Sequence, residues 1–360
     1  MKILLSGFCL LSFLSLSAQD SLTILFAGDA MMHQKQLDNT RRGDFFDLDS
    51  YFANIEREVK AVDIAVVNFE VPLGGEPYSG YPAFSAPENF ALALQKAGFD
   101  FFLLANNHCL DRRTRGLVPT IQALDSLGIR HTGTFLDCDH RHRTYPMLLR
   151  KKDFRIIMLN YTYGTNGLKV DIPRIVNYID KEIMKGDIAE AKLFNPDFII
   201  ANMHWGLEYE RIPSREQREL ADWLMRQVDL VIGSHPHVVQ PMEFRRGKEG
   251  VPDRLVVYSL GNFISNMGRE HTDGGVMVKV VLGRKGLRRY IVSAQYSLIY
   301  SSRYKNEQGK EDIRVVPAAS WSGKNQNSSF SVDSALIKYV NNTRLFLKSN
   351  NKEVEEYIFE

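Results

Sequence analysis

Six short stretches of the 360-residue chain carry side chains able to bind a cation or move a proton. They are Gly28-Asp29, Asn68-Phe69-Glu70, Asn106-Asn107-His108 with Asp111 behind it, His204 followed by Glu208, His235-Pro236-His237, and Gly261-Asn262. Asp29, Glu70, Asn107, His204, His235 and His237 together supply two carboxylates, one carboxamide and three imidazoles, with no thiolate. That set excludes a structural cysteine-zinc site and suits Mn, Fe or Zn. Six donors exceed the needs of one tetrahedral ion. Two divalent ions about 3.5–4 Å apart would share them through a bridging carboxylate and clamp the attacking and leaving oxygens of a hydrolytic displacement. Taken singly, Asp29 also reads as a helix cap, Asn107 as a turn residue and His204 as a hydrogen-bonded core histidine. The His235-Pro236-His237 pair is more specific, because two imidazoles around a rigid proline point to one side of an extended segment.

Elements must bring these stretches together. Leu22 to Ala27, Asp63 to Val67, Phe99 to Leu104, Phe198 to Ala201 and Leu230 to Ile232 are short apolar runs without polar alternation, as expected of strands buried on both faces. Each run ends just before one of the polar stretches. Ser50 to Val62, Pro87 to Ala97, Arg115 to Leu127 and Ser214 to Val228 show helical spacing, so strand and helix alternate and a mainly parallel sheet follows. The carboxyl ends of parallel strands lie side by side, which turns five distant positions into one crevice. Val238 to Arg245, Arg254 to Ser259, Gly275 to Leu282 and Arg289 to Tyr296 read as antiparallel strands that complete a second sheet or extend the first. Val332 to Leu347, with Leu336, Ile337, Val340, Leu345 and Leu347, reads as a terminal amphipathic helix.

The bulk properties are those of an ordinary globular protein: 44% hydrophobic residues and 45 Lys plus Arg against 43 Asp plus Glu. A net charge of +2 argues against a nucleic-acid partner, so a charged ligand must be bound locally. Residues 1–18 read as a cleaved signal peptide, with Lys2, an apolar stretch from Ile3 to Leu16 and small residues at Ser15, Ser17 and Ala18. Export to the periplasm or cell surface is the expectation, with residues 19–360 as one domain. Cys9 follows Phe8, which argues against a lipid anchor, and leaves Cys109 and Cys138 either paired or as small buried residues. Arg112, Arg113, Arg115, Arg211, Arg215, Arg245 and Arg246 follow the site stretches and would form a carboxylate-binding rim.

In order and spacing, Gly28-Asp29-Ala30-Met31, Asn68-Phe69-Glu70, Ala105-Asn106-Asn107-His108 with Asp111, His204-Trp205-Gly206 with Glu208, Gly233-Ser234-His235-Pro236-His237 and Tyr258-Ser259-Leu260-Gly261-Asn262-Phe263 resemble the CapA or PgsA family of capsule and poly-γ-glutamate synthesis proteins. The match runs from about Leu22 to about Val280. The family is similar to the calcineurin-like metallophosphoesterases, which implies an α/β fold with a β-sandwich of mixed sheets flanked by helices. The resemblance implies Asp29 and His237 on one metal, Asn107, His204 and His235 on the other, and Glu70 as the bridge. It implies His108 as the acid, with Asp111 fixing its tautomer, and leaves Asn68, Glu208 and Asn262 as supporting or substrate residues. Met31 stands where the phosphoesterases carry a histidine, and His33, two residues on, is expected at the surface. The implied function is hydrolysis of a phosphoester or a γ-glutamyl (acyl) bond. The alternative is a non-catalytic metal-containing component that binds an anionic capsule polymer, with capsule-synthesis membrane proteins as partners.

Overall fold

The computed structural model describes residues 20–247, 252–286, 288–305, 309–318, 320 and 334–359. The signal-peptide expectation lies outside these residues. In chain order the principal strands are β1 (Asp20–Ala30), β2 (Ile64–Phe69), β3 (Phe101–Leu103), β4 (Arg130–Thr132), β5 (Met147–Lys151), β6 (Phe154–Thr162), β7 (Phe198–His204), β8 (Leu230–Ser234), β9 (Met242–Arg245), β10 (Arg254–Val257), β11 (Asn262–Ile264), β12 (Gly274–Lys285), β13 (Arg288–Lys305), β14 (Glu311–Pro317) and β15 (Glu355–Glu356). The first sheet runs β14-β13-β12-β1-β2-β3-β4, with β11 added to β1 and β15 to β13. The second runs β9-β10-β8-β7-β6-β5. Strands β1 to β4 are parallel to one another, as are β6, β7, β8 and β10.

Side-chain parity explains why two sheets form. Ile24 and Phe26, Ile64 and Val66, and Phe198 and Ile200 share one apolar cluster between the sheets. Their odd-numbered neighbours Leu25 and Ala65 pack outward with the helices of the first half. Ile199 and Ala201 pack outward with Ile188 and Leu224 on the other side. The result is four layers, with the helices Gln34–Thr40, Asp49–Phe52, Glu56–Lys60, Glu88–Lys96 and Thr114–Ser126 covering one sheet, and Lys181–Leu193 with Arg215–Leu224 covering the other.

All five apolar runs are strands, but not of one sheet. The run Phe154–Thr162, missing from the sequence reading, starts a second sheet that holds β7 and β8, and the crevice is where the carboxyl ends of both sheets meet. The later strands do both things expected of them, β9 and β10 completing the second sheet and β12 to β14 extending the first, but β10 runs parallel to β8, not antiparallel as expected. The strand expected from Val238 begins only at Met242, after Pro241, which has no N–H to give a ladder. The helix expected over Ser50 to Val62 breaks between Phe52 and Glu56, where Tyr51, Phe52 and Ile55 are all buried and packing overrides local preference. In the terminal helix (Ser334–Asn350) Leu336, Tyr339, Val340 and Leu347 face the core, whereas Ile337 and Leu345 are exposed. Cys109 is buried, Cys138 is exposed, and both are free thiols. No helix among the described residues is long and apolar enough to cross a membrane.

Candidate metal centre

Asp29 reaches the crevice through an irregularity in β1. Ala27 pairs with Val67 but Asp29 pairs with Asn68, so Gly28 is an extra residue and the register shifts by one. Such a bulge re-aims the following side chain. Without it Asp29 would follow Leu25 and Ala27 outward; with it Asp29 shares the inter-sheet face with Asn68. Only glycine fits at 28, since a Cβ there would stand 1.9 Å from the Gly261 carbonyl oxygen. Across β1, Asn262 pairs with Asp29 from the other side.

The six candidate ligands are buried and adjacent. Asp29 Oδ2 lies 3.1 Å from His237 Nδ1, His204 Nε2 lies 2.8 Å from Asn107 Oδ1 and 3.6 Å from Glu70 Oε1, and the His204 and His235 ring centroids are 4.8 Å apart. Donor atoms of Glu70, His235 and His237 fall within 4.8 Å of one another, as do those of Asp29, Glu70 and His204. Asn68 Nδ2 donates to Asp29 Oδ1 at 2.8 Å and to Glu70 Oε2 at 3.1 Å, so it spaces the two carboxylates. Asn262 Oδ1 sits 3.1 Å from His237 Nδ1, and its amide is held by Ser265 Oγ and the Thr272 carbonyl.

Burial decides the charge states. It drives the Glu70 carboxyl well above its usual range, helped by the neighbouring Asp29 charge. It depresses His204 well below the usual imidazole range, and His235 to about 3, with the other imidazoles adding to the effect. Asp29 and His237 resist burial through their mutual hydrogen bond, so the carboxyl is held low and the imidazole high. Glu70 Oε1 and His235 Nδ1 are fully buried with no hydrogen-bond partner. Buried polar atoms are seldom left so, and a carboxylate and a neutral imidazole with lone pairs in one cluster fit cations of the oxygen- and nitrogen-binding kind.

The His235-Pro236-His237 segment is not extended. Both histidines lie at positive φ, 101° and 59°, in a bend after β8 that turns both rings back toward β1 and β7. A strained backbone at two candidate ligands is held from outside, for Tyr209 N–H donates to the Pro236 carbonyl at 2.8 Å. His108 stands beside the cluster on a turn closed by Asp111 N–H to its carbonyl. Its Nδ1 is 2.8 Å from Asp111 Oδ2, which also accepts the Phe84 N–H at 2.8 Å, leaving Nε2 as the nitrogen available for chemistry. Asn106 fixes the start of that turn by bonding the Phe69 carbonyl and the His108 N–H.

Several residues that matter here escaped the sequence reading. Tyr163 follows β6 and lies 4.5 Å from the His235 ring, half-exposed at the mouth. Asn160 on β6 accepts the Ala105 N–H at 2.8 Å and ties the two sheets together below the site. A run such as Ile156 to Leu159 ahead of Asn160 is the same signal that marked the other strands. His33 is half-buried rather than fully exposed. Its Nε2 is buried without a partner, its ring meets Phe84 edge-on at 5.3 Å, and burial followed by His237 and His108 pushes it down to about 4. Three members of the expected arginine rim are engaged elsewhere. Arg215 pairs with Glu219, Arg245 with Glu243 and Asp222, and Arg112 bonds Pro77 and Ser79. Arg245 pairs in register with Arg254, at the end of the second sheet away from the crevice. Glu208 is exposed, next to Tyr209 in the chain.

The sequence matches the family described as bacterial capsule synthesis protein PGA_cap over residues 23–267, and the chain belongs to that family. It is 28% identical over 284 residues to the capsule biosynthesis protein CapA of Bacillus anthracis, covering 74% of this chain and 65%, just under two thirds, of that protein. It is 27% identical over 288 residues to the PGA biosynthesis protein CapA of Bacillus subtilis (strain 168), covering 77% and 72%. Among solved structures, the NAD nucleotidase NadN of Haemophilus influenzae aligns with a TM-score of 0.51 at 14% identity, over 91% of this chain and 67% of that one. At that identity the likeness establishes a shared fold. The calcineurin-like phosphoesterase YfkN of Bacillus subtilis aligns with a TM-score of 0.47 at 14% identity, over 91% and 97%.

Proposed function

We propose that this protein is an exported, CapA-type component of capsule or poly-γ-glutamate metabolism whose buried cluster holds two divalent ions, Mn, Fe or Zn, and hydrolyses a phosphoester or γ-glutamyl (acyl) bond. The observation that carries the reading is the pair of orphaned buried donors, Glu70 Oε1 and His235 Nδ1, inside a cluster of two carboxylates and three imidazoles. Asp29 and His237 would hold one ion, Asn107, His204 and His235 the other, and Glu70 both. When bound, the ions would polarise the substrate oxygen and supply an activated water.

The chain's own groups do the rest. Asn68 keeps the two carboxylates apart and oriented, and Asn262 fixes the His237 ring. Asp111 holds His108 with Nδ1 engaged, so that Nε2 can give a proton to a leaving oxygen or nitrogen, or bind a developing oxyanion. The capsule context comes from the relatives named above, and the anionic polymer and membrane partners belong to this proposal with it.

Elemental analysis of the purified native protein, followed by phosphodiester, phosphomonoester and γ-glutamyl substrates, tests it. Two equivalents of a divalent metal with turnover of one class are expected. Polymer binding without turnover would replace the hydrolase by a binding component, and a metal-free native protein would overturn the reading.

A further inference from the structure

The loop that follows β6 touches each of the three residues proposed to hold one ion apart from the bridge. Tyr163 N–H donates to the His204 carbonyl at 2.9 Å, and the Tyr163 ring lies 4.5 Å from the His235 ring and stacks on that of His204 at 6.3 Å. Three residues on, Asn166 Oδ1 accepts Asn107 Nδ2 at 3.1 Å. Asp29 and His237, proposed for the other ion, are supported from different places, by Asn68, by Asn262 and by the Tyr209 N–H on the Pro236 carbonyl.

The loop is folded so as to present Asn166. Thr165-Asn166-Gly167-Leu168 is a tight turn closed by Leu168 N–H to the Thr165 carbonyl at 2.9 Å, with φ 51° at Asn166 and 75° at Gly167. A type I′ turn needs positive φ at both central positions, and Asn-Gly is a favoured pair for it. Thr165 Oγ1 donates to the Leu168 carbonyl at 2.7 Å and meets the Tyr178 hydroxyl at 2.8 Å. Turn chemistry accounts for the Asn166 backbone, but glycine would serve that backbone as well. The side chain needs another reason, since it is exposed yet reaches the amide of a buried residue.

Only one end of a carboxamide can bind a cation: Oδ1 has lone pairs to offer, whereas Nδ2 donates. Asn107 Oδ1 faces His204 Nε2 at 2.8 Å, inside the cluster. Its Nδ2 is thereby turned away from the cluster, in a residue only 1% exposed, and needs an acceptor. Asn166 Oδ1 is that acceptor. Water in its place could donate or accept, would pair with either end of the carboxamide, and would not select the orientation with oxygen inward. We propose that Asn166 is a positioning residue for one ion only: it holds the Asn107 carboxamide with its oxygen toward the cluster and so tightens the Asn107, His204 and His235 site, while the Asp29 and His237 site does not depend on it. The proposal rests on the two-metal reading above.

Metal binding tests it without reference to turnover. Chelator-stripped wild type, Asn166→Gly and Asn166→Asp are titrated calorimetrically with Mn²⁺ and, separately, with Zn²⁺. Glycine keeps the turn and removes the acceptor; aspartate keeps both, and its carboxylate can only accept. The wild type should take up two ions. Asn166→Gly should weaken one of the two binding steps by about ten- to a hundredfold, the range for a residue that orients a metal ligand, and leave the other unchanged. Asn166→Asp should bind both ions at least as tightly as the wild type. A residue that served the turn alone would make Asn166→Gly indistinguishable from the wild type. Two unchanged steps in Asn166→Gly, equal weakening of both, or as large a loss in Asn166→Asp overturns the proposal and leaves the two-metal reading standing. A wild type that takes up fewer than two of either ion overturns both. Urea unfolding of the stripped proteins verifies that the variants fold.

Discussion

The two ends of the parallel strands use the same residue type for opposite purposes. At the amino ends, Asp63, Asp100, Asp197, Asp229 and Asp253 each stand immediately before a strand, and each carboxylate accepts a backbone N–H from another strand: Thr23, Ala65, Arg155, Ile199 and Ile291, at 2.7 to 3.0 Å. Lys152 pairs with Asp63 and Arg254 with Asp229. At the carboxyl ends, Asp29 and Glu70 are wholly buried and share the Asn68 amide; Asp29 also meets the His235 N–H and the His237 ring, but Glu70 Oε1 has no partner. Aspartate at a strand end therefore says little by itself. What separates architecture from chemistry is whether the carboxylate's hydrogen-bonding capacity is met by the fold.

The largest effect expected is at the carboxyl end. Glu70→Gln should lose bound metal and drop turnover to background together, measured by elemental analysis and assay on one preparation; a variant that keeps both ions would remove Glu70 from the centre. His108→Ala should retain both metals and slow turnover by about a hundred- to ten-thousandfold, the range for a positioned acid. Metal loss in that variant would make His108 a ligand. Asp111→Asn should cost less, because it disturbs only the orientation and charge balance of a ring that remains.

The contrast also shows what the sequence could convey. Apolar runs followed by a polar stretch located five of the strands entering the site, and the order of motifs identified the family, because both are patterns within short windows. The division of those strands between two sheets depends on Phe154–Thr162, whose Arg155, Asn160 and Thr162 blur an otherwise similar run. The inward turn of Asp29 depends on one extra residue in a ladder, and the bend at His235 on positive φ angles; neither is visible without the partner strand. His33 looked like a surface residue because nothing near it in sequence covers it. Phe84, from a loop about fifty residues later, does so.

Acid should expose the site's burial as a loss of stability. His235 and His33 fold with neutral rings, at about 3 and about 4, whereas an unfolded imidazole takes a proton near 6.5. Between these values the unfolded chain binds more protons, so stability is present above 6.5 and falls as pH drops toward 4, by about 1.4 kcal/mol per unit and ring. His204, also held low, adds to the fall, whereas His237, raised by Asp29, and the Glu70 carboxyl, raised by burial, work in the opposite direction and offset part of it. Urea unfolding with chelator present should give a lower midpoint at pH 5 than at pH 7. An unchanged or higher midpoint at pH 5 would mean that these rings are solvated.

The smallest effects should have opposite character at the two ends. Asp229→Ala removes the acceptor of the Ile199 N–H and the carboxylate partner of Arg254, 2.8 and 2.7 Å away, and leaves that guanidinium with only the Met225 and Asp253 carbonyls. A loss of about 1–3 kcal/mol is expected, and Asp229→Asn, which keeps an acceptor but no charge, should lose less. Metal content should not change in either, since Asp229 lies at the far end of β8 from His235. Glu70→Gln in chelator should do the reverse. Burial and the Asp29 charge already disfavour an ionised carboxylate at that position, so a neutral amide of the same shape should leave unfolding stability unchanged or raise it. The measurement is the urea midpoint of all three variants at pH 8, beside their metal content. If Glu70→Gln is destabilised as much as Asp229→Ala, then the fold does satisfy Glu70, and the distinction between the two ends of the strands fails where it matters most.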